Sequence, residues 1–410
     1  MSETSNSGFN ALEIPPSILQ KINRLGFTVP TPIQQQAIPV GLQRRDVIGI
    51  AQTGTGKTLA FGVPMIANLK HIQIGLVLAP TRELALQIDE TMRKLGCKTA
   101  VLIGGAPMGR QISMLRTRPT IIVATPGRLL DHIQQGTVNL QTVGVVVLDE
   151  ADRMLDMGFA PAIRKILDTT PVSRQTMLFS ATMPKEIADI AQRYQREPVR
   201  IEVARAGTGA DNVEQELYVV GKEDKSALLG TLLKSHQGTV LVFTRTRHGA
   251  KKLARTVRIA GHSAAELHSD RTLSQRTAAL SGFKSGEFRV LVATDIAARG
   301  IDVKEISLVV NYDIPENPED YVHRIGRTGR AGASGHAITF VMPDQHRDVR
   351  DIERLMKVEL QVSKNSHMQL TRSAPAASHS PSRPSSGGAQ PQAARKTGSA
   401  RFRGYNRANV

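Results

Sequence analysis

Short, continuous apolar runs recur along the chain, with helical stretches between them. In the first half they fall near 46–50, 74–79, 99–103, 120–124, 143–148 and 175–180. In the second half they fall near 215–220, 239–243, 264–267, 289–293, 308–312 and 336–341. Most are rich in Val, Ile and Leu and do not alternate with polar residues. That pattern predicts parallel strands covered on both faces, with the intervening helices as crossovers. Between the two series lies Ala204-Arg205-Ala206-Gly207-Thr208-Gly209-Ala210-Asp211-Asn212, a polar, glycine-containing stretch that reads as a hinge. Two α/β domains follow from this alternation, over 1–204 and 214–362, joined by a linker at 205–213.

Beyond about residue 361 the pattern stops. Ser, Pro, Ala, Gly, Gln and Arg dominate, as in Ser380-Pro381-Ser382-Arg383-Pro384. Too little apolar area is available there to offset the entropy of ordering, so 363–410 is expected to be a disordered basic tail. The tail also skews the charge. Of a formal net charge of +17 over 410 residues, eight Lys or Arg and no acid lie in 361–410, leaving +9 on the rest. Such an excess suggests a polyanionic partner. Cys97 is the sole cysteine, which excludes an internal disulfide and a cysteine metal cluster. The N-terminus lacks the basic and apolar regions of a secretion signal, and no apolar run is long enough to span a bilayer. A soluble protein of the cytoplasm, without membrane partners, is the expectation.

Two segments carry chemistry. Ala51-Gln52-Thr53-Gly54-Thr55-Gly56-Lys57-Thr58 stands between a predicted strand and a predicted helix. That context turns a glycine-rich stretch into a phosphate-binding loop, whose backbone N–H groups and lysine face phosphates. The usual leading glycine is replaced by Ala51, a small residue that still fits. Lys57 is expected to reach the β- and γ-phosphates, and Thr58 to bind Mg²⁺. The second segment, Asp149-Glu150-Ala151-Asp152, ends the apolar run at 143–148. An acid at a strand end can hold Mg²⁺ and position a water for phosphoryl transfer. Together they predict a nucleoside triphosphate site.

Further motifs follow in order. They are Gly26-Phe27-Thr28-Val29-Pro30-Thr31-Pro32-Ile33-Gln34, Pro80-Thr81-Arg82-Glu83-Leu84-Ala85, Gly104-Gly105, Thr125-Pro126-Gly127-Arg128 and Ser180-Ala181-Thr182. The second half adds Leu241-Val242-Phe243-Thr244, then Ala293-Thr294-Asp295 running to Ala298-Arg299-Gly300-Ile301-Asp302, and Tyr321-Val322-His323-Arg324-Ile325-Gly326-Arg327-Thr328-Gly329-Arg330. With these, the chain resembles a DEAD-box ATP-dependent RNA helicase of superfamily 2 over nearly all of 9–342. The compact core and short tail are most similar to bacterial RhlE-type members.

The resemblance implies two tandem RecA-like domains with ATP and RNA bound across their cleft. It implies RNA-stimulated ATP hydrolysis coupled to domain closure and to local duplex unwinding or ribonucleoprotein remodelling. The same residues also serve an ATP-gated RNA clamp that unwinds little. Gln34 is expected to read adenine, with Phe27 beside it. Phe9, 17 residues before Gly26, is the candidate to stack on the base, although its spacing alone equally suits a packed N-terminal aromatic. The loop residues Thr53, Gly54, Thr55, Gly56, Lys57 and Thr58 are implied to hold ATP, and Asp302 its ribose. Asp149 is implied to hold Mg²⁺, largely through water, and Glu150 to orient or deprotonate the attacking water. Arg327 and Arg330 match arginine fingers, and His323 the interdomain network. Asp152, Ser180 and Thr182 match the link between the nucleotide and RNA sites.

RNA backbone contacts are implied for Arg82, Gly105, Thr125 and Arg128 in the first domain, and for Thr294, Arg299 and Gly300 in the second. Such contacts hold a strand without reading its sequence. Ribosome-assembly or RNA-decay proteins are the implied partners. One segment departs from the pattern. Relatives commonly carry Gln-x-x-Arg after a His-Gly-Asp-like turn, but here His268-Ser269-Asp270-Arg271-Thr272-Leu273-Ser274-Gln275-Arg276 places Leu273 where the glutamine is expected. Gln275 takes that role only after a shift of register.

Overall fold

The computed structural model describes residues 8–52, 54–69, 73–203, 213–298, 306–329, 334–364 and 366. The predicted strands form with only small changes at their ends. The first domain contains β1 (Val47–Ile50), β2 (Ile74–Leu78), β3 (Thr99–Leu102), β4 (Ile121–Ala124), β5 (Val143–Leu148), β6 (Gln175–Ser180) and β7 (Val199–Glu202). The second contains β8 (Val213–Val219), β9 (Val240–Phe243), β10 (Ala264–Leu267), β11 (Val290–Ala293), β12 (Leu308–Asn311), β13 (Gly335–Val341) and β14 (Gln361–Val362). All pairings are parallel, and the strand orders are β3-β4-β2-β5-β6-β1-β7 and β10-β11-β9-β12-β13-β8-β14. Each strand number in the second order is that of the first plus seven, so the two domains share one topology.

The apolar runs are continuous because each sheet has a core on both faces. Val145 and Val147 of β5 join one cluster, whereas Val146 and Leu148 join another on the opposite face. In β9, Leu241 and Phe243 face one core and Val240 and Val242 the other. Each such side chain contributes about 1.5–3 kcal/mol when fully buried.

Two strands had no counterpart in the sequence reading, β7 and β14, and both lie at sheet edges. In β7, exposed Arg200 and Glu202 alternate with less exposed Val199 and Ile201, so no apolar run marks it. Both residues of β14 are exposed. Polar, short edges are how sheets avoid pairing with other chains, and they erase the sequence signal in doing so. Past β14, the Ser363 N–H still donates to Leu217 O at 2.8 Å and Ser366 Oγ accepts from the Val219 N–H at 2.7 Å. Among the described residues, no helix is long and apolar enough to cross a membrane.

Candidate functional site

Because the strands are parallel, their C-terminal ends lie on one edge of each sheet, where crevices for ligands form. The predicted motifs sit on that edge. The glycine-rich loop follows β1, Arg82 follows β2, Gly104-Gly105 follows β3, Thr125 follows β4, Asp149 follows β5, and Ser180-Ala181-Thr182 follows β6. In the second domain, Thr294 follows β11.

The loop is held from outside. Buried Gln34 donates through Nε2 to Gly56 O at 2.9 Å, and its Oε1 accepts from the Thr31 N–H at 2.9 Å. Thr31 Oγ1 donates to Thr55 O at 2.7 Å. Gly56 has φ +86°, and a Cβ there would lie 2.3 Å from Gln34 Nε2, so glycine is needed both for the turn and for the approach. Lys57 opens the following helix, Lys57–Asn68. Its Nζ donates to Ala51 O at 3.2 Å and lies 3.9 Å from Asp149 Oδ1.

Asp149 and Glu150 are both almost fully buried. Burial, reinforced by the neighbouring Glu150 and Asp152 and opposed by Lys57, pushes the Asp149 carboxyl up to about 6. Glu150 has φ +52°, a left-handed conformation that costs a non-glycine residue about 1–2 kcal/mol. Its carboxylate accepts from Arg153 Nη1 at 2.9 Å, with both side chains buried. Asp152 Oδ2 accepts from the Ala181 N–H at 3.0 Å, the Thr182 N–H at 2.9 Å and Thr182 Oγ1 at 3.2 Å. The Asp152 N–H donates to Ser180 Oγ at 3.2 Å. Burial alone raises the Asp152 carboxyl, but Lys57, the Thr182 amide, Arg153 and His323 outweigh it and hold it below its usual range.

The second domain faces these groups. His323 and Arg327 line a small cavity with Arg153 of the first domain. Arg327 is almost fully buried, and its Nε donates to His323 O at 3.1 Å. Arg324 Nη2 donates to Asp295 Oδ2 at 2.7 Å, and its Nη1 to Asn311 Oδ1 at 3.2 Å. Thus the helix Pro318–Ile325, which carries His323, is fastened to the residue after Thr294. A larger cleft of about 500 Å³ runs between the domains, bounded by Ala51, Gln52, Thr55 and Thr182 on one side and by Val322 and His323 on the other.

The RNA candidates divide. Arg82 lies across Gly105, where a Cβ would come within 2.3 Å of Nη1. Arg128 Nη1 donates to Ala106 O at 2.9 Å, and buried Thr125 immediately precedes the helix Pro126–Gln134 without a side-chain bond to it. Arg82 and Arg128 thus both meet the Gly104-Gly105-Ala106 turn after β3, whereas Thr125 is buried. Thr294 lines an interdomain cavity of about 640 Å³ with Asp156 and Met157.

Other candidates are placed differently. Phe9 is 2 % exposed and belongs to the first domain's core cluster, as the packed-aromatic alternative has it; Phe27 is 42 % exposed. Thr53, Arg299, Gly300, Asp302 and Arg330 lie outside the described residues. Arg153 has no role in the sequence analysis, and Arg324, Glu83 and Arg276 stand in its motifs without their partners, although Arg276 Nη2 donates to Glu83 Oε2 at 2.7 Å. Arg153 had a local signal in its spacing of three from Glu150, the spacing at which helical side chains meet. The others stand in motifs, but the pairings Glu83–Arg276 and Asp295–Arg324 join separate segments and left no local signal.

No group of three or more His, Cys, Asp or Glu side chains arranged to hold a metal occurs among the described residues. Thr58 and the strongly buried Asp149 fit a cation held mainly by phosphates and water, as Mg²⁺ usually is.

Comparison with known proteins agrees with this geometry. Residues 31–190 match the family described as DEAD/DEAH box helicase, and 224–332 match the helicase conserved C-terminal domain. The chain is 45 % identical over 358 residues to the DEAD-box ATP-dependent RNA helicase CshA of Bacillus subtilis, covering 85 % of this chain and 72 % of that one. It is 44 % identical over 380 residues to DEAD-box ATP-dependent RNA helicase 30 of Arabidopsis thaliana, covering 89 % and 64 %. Among solved structures, S. cerevisiae Dbp5 bound to RNA and ADP BeF3 aligns with a TM-score of 0.78 at 30 % identity, over 87 % of this chain and 95 % of that one. Mss116p bound to ssRNA and AMP-PNP aligns at 0.79 and 27 %, over 88 % and 80 %. These likenesses do not confirm the RhlE-type subfamily.

Proposed function

The chain belongs to the DEAD-box family of ATP-dependent RNA helicases, and from that premise we propose how its residues divide the work. The observation that carries the proposal is the shared cavity in which Arg153, paired to Glu150, meets His323 and Arg327 of the other domain. Neither domain alone contains both the water-activating acid and the arginine.

ATP enters the cleft between the loop after β1 and the helix bearing His323. Lys57 leaves Ala51 O and Asp149 to neutralise the β- and γ-phosphates. Gln34 stabilises the loop through Gly56 and presents its remaining amide valences to adenine. The base contact of Phe9 requires it to leave or border its present packing. Asp149 and Thr58, with phosphates and water, would hold Mg²⁺, which would supply charge neutralisation at the phosphates. Glu150 orients the attacking water and takes its proton. Arg327, with Arg330, places positive charge where negative charge develops on the transferring phosphoryl group.

The coupling of hydrolysis to RNA runs through two fastenings. In the first domain Asp152 ties the acidic strand end to Ala181 and Thr182. In the second, Asp295 ties the Thr294 segment to the helix of His323. Arg82, Gly105, Thr125 and Arg128 would hold one part of the RNA backbone, and Thr294, Arg299 and Gly300 the other. A strand gripped by both domains is bent or strained by closure, which opens a short duplex. Asp302 meets the ribose, and ribosome-assembly or RNA-decay factors are the proposed partners in the cytoplasm.

The test is ATP hydrolysis by the full chain with RNA, with DNA of the same sequence and with neither, beside a strand-displacement assay. RNA-specific stimulation with displacement is expected. Stimulation without displacement supports the clamp, and equal stimulation by DNA contradicts the reading.

A further inference from the structure

The segment that departs from its relatives has a role of its own. The helix Leu273–Ser285 opens with a capping box: the Thr272 N–H donates to Gln275 Oε1 at 3.1 Å, and the Gln275 N–H to Thr272 Oγ1 at 3.3 Å. Gln275 is exposed and committed to this cap, so no shift of register brings it to the place of Leu273.

Leu273 and Arg276 are three residues apart and share a helix face. That face meets the first domain. Arg276 Nη2 donates to Glu83 Oε2 at 2.7 Å, with only 9 % and 4 % of the two side chains exposed. Leu273 is half-buried and packs against the first domain's core cluster, to which Leu84, Ala85 and Ile103 belong. Glu83 stands between Leu84 of that cluster and Arg82, the arginine lying across Gly105.

We propose that Leu273 is a positioning residue whose apolar contact with the first domain favours the closed arrangement without help from RNA. A glutamine at this place needs polar partners, from water, RNA or protein, for both ends of its amide. A leucine needs none, and it leaves water only when the two domains meet. Part of the free energy of closure therefore comes from protein contact alone. The apparent RNA affinity of a chain that binds tightly only when closed falls in proportion to its closed fraction. Losing the contact of a half-buried leucine lowers the closed-to-open ratio by about three- to tenfold. The inference rests on the reading of the chain as an RNA-stimulated, closing ATPase.

The experiment uses the full chain with Cys97→Ser, Glu186→Cys and Lys234→Cys, dye-labelled for energy transfer between domains. Wild-type, Leu273→Gln and Leu273→Met backgrounds are compared with ADP and beryllium fluoride, without and with a single-stranded RNA oligonucleotide. The same unlabelled variants are titrated with that RNA in an ATPase assay. Leu273→Gln should lower the RNA-free closed-to-open ratio by about three- to tenfold and raise the half-saturating RNA concentration as the closed fraction falls, with kcat at saturating RNA unchanged. Leu273→Met should behave as wild type. A wild-type chain that stays open without RNA, or a Leu273→Gln variant with unchanged closed fraction and half-saturation, overturns the proposal. So does a fall in kcat alone, which marks a merely structural side chain. Absence of RNA-stimulated hydrolysis in the wild type would instead overturn the functional reading.

Discussion

The two domains share one strand order, yet only the first follows its first strand with a glycine-rich loop. In both, a helix beginning with lysine follows the first strand, Lys57 after β1 and Lys225 after β8. In both, that lysine lies near an aspartate beyond the fifth strand. Lys57 is 3.9 Å from Asp149, whereas Lys225 is 3.0 Å from Asp313 and also donates to Tyr312 O at 2.8 Å. The connections differ. Gln52 to Gly56 contains two left-handed glycines, but Val220-Gly221-Lys222-Glu223-Asp224 has no glycine-rich turn. In the second domain the lysine and its acid have closed on each other. The same scaffold thus gives the proposed nucleotide site in one domain and, in the other, an ion pair bordering a cavity of about 900 Å³, because the chemistry belongs to the loops at the strand ends. In the proposed mechanism the second domain contributes instead from the helix that carries His323 and from Arg327.

Exchanging the fate of the two lysines is the severest way to break this comparison. Lys57→Ala is expected to reduce RNA-stimulated ATP hydrolysis by about 10³-fold or more, through loss of the ammonium at the phosphates. Lys225→Ala should leave turnover of the folded protein within about threefold of wild type but lower unfolding stability by about 1–3 kcal/mol, since it removes the buried donor to Tyr312 O and Asp313 Oδ1. Steady-state ATPase and urea unfolding measure the two. A loss of turnover in Lys225→Ala comparable to that in Lys57→Ala would mean that the second domain also serves a phosphate.

Smaller but sharper is Glu150→Gln. The amide cannot take the water's proton, so hydrolysis should slow by about 10²–10⁴-fold while ATP affinity is retained. Equilibrium binding of a fluorescent ATP analogue and single-turnover hydrolysis separate the two effects. Smallest is Asp152→Asn. It replaces the charged acceptor for Ala181 and Thr182 with a neutral one, and should reduce strand displacement by about tenfold more than it reduces ATP hydrolysis. Equal losses would place Asp152 in hydrolysis rather than in coupling.

The sequence made some of this plain and hid the rest for physical reasons. Buried parallel strands such as Val143–Leu148 are apolar on both faces, so they stand out even without periodicity. The edge strands β7 and β14 are polar because they are edges, and they leave no such run. Lys57, Asp149 and Asp152 were visible because their motifs are local to a strand end. Arg276 and Glu83 are 193 residues apart, and only the fold brings them together. The contact of Leu273 with the first domain was illegible in the same way. The segment around it showed a departure from pattern, and geometry was needed to show what the departure does.

The central claim is that hydrolysis is assembled from both domains, with Arg327 acting on an ATP bound mainly by the first. It is tested most directly by Arg327→Ala at saturating RNA, with ATP affinity and single-turnover hydrolysis measured on the same preparation. The account predicts hydrolysis slower by about 10³-fold or more, with ATP affinity changed by less than about threefold, because an arginine finger acts chiefly in the transition state. Equal losses in affinity and rate, or a rate close to wild type, would contradict it.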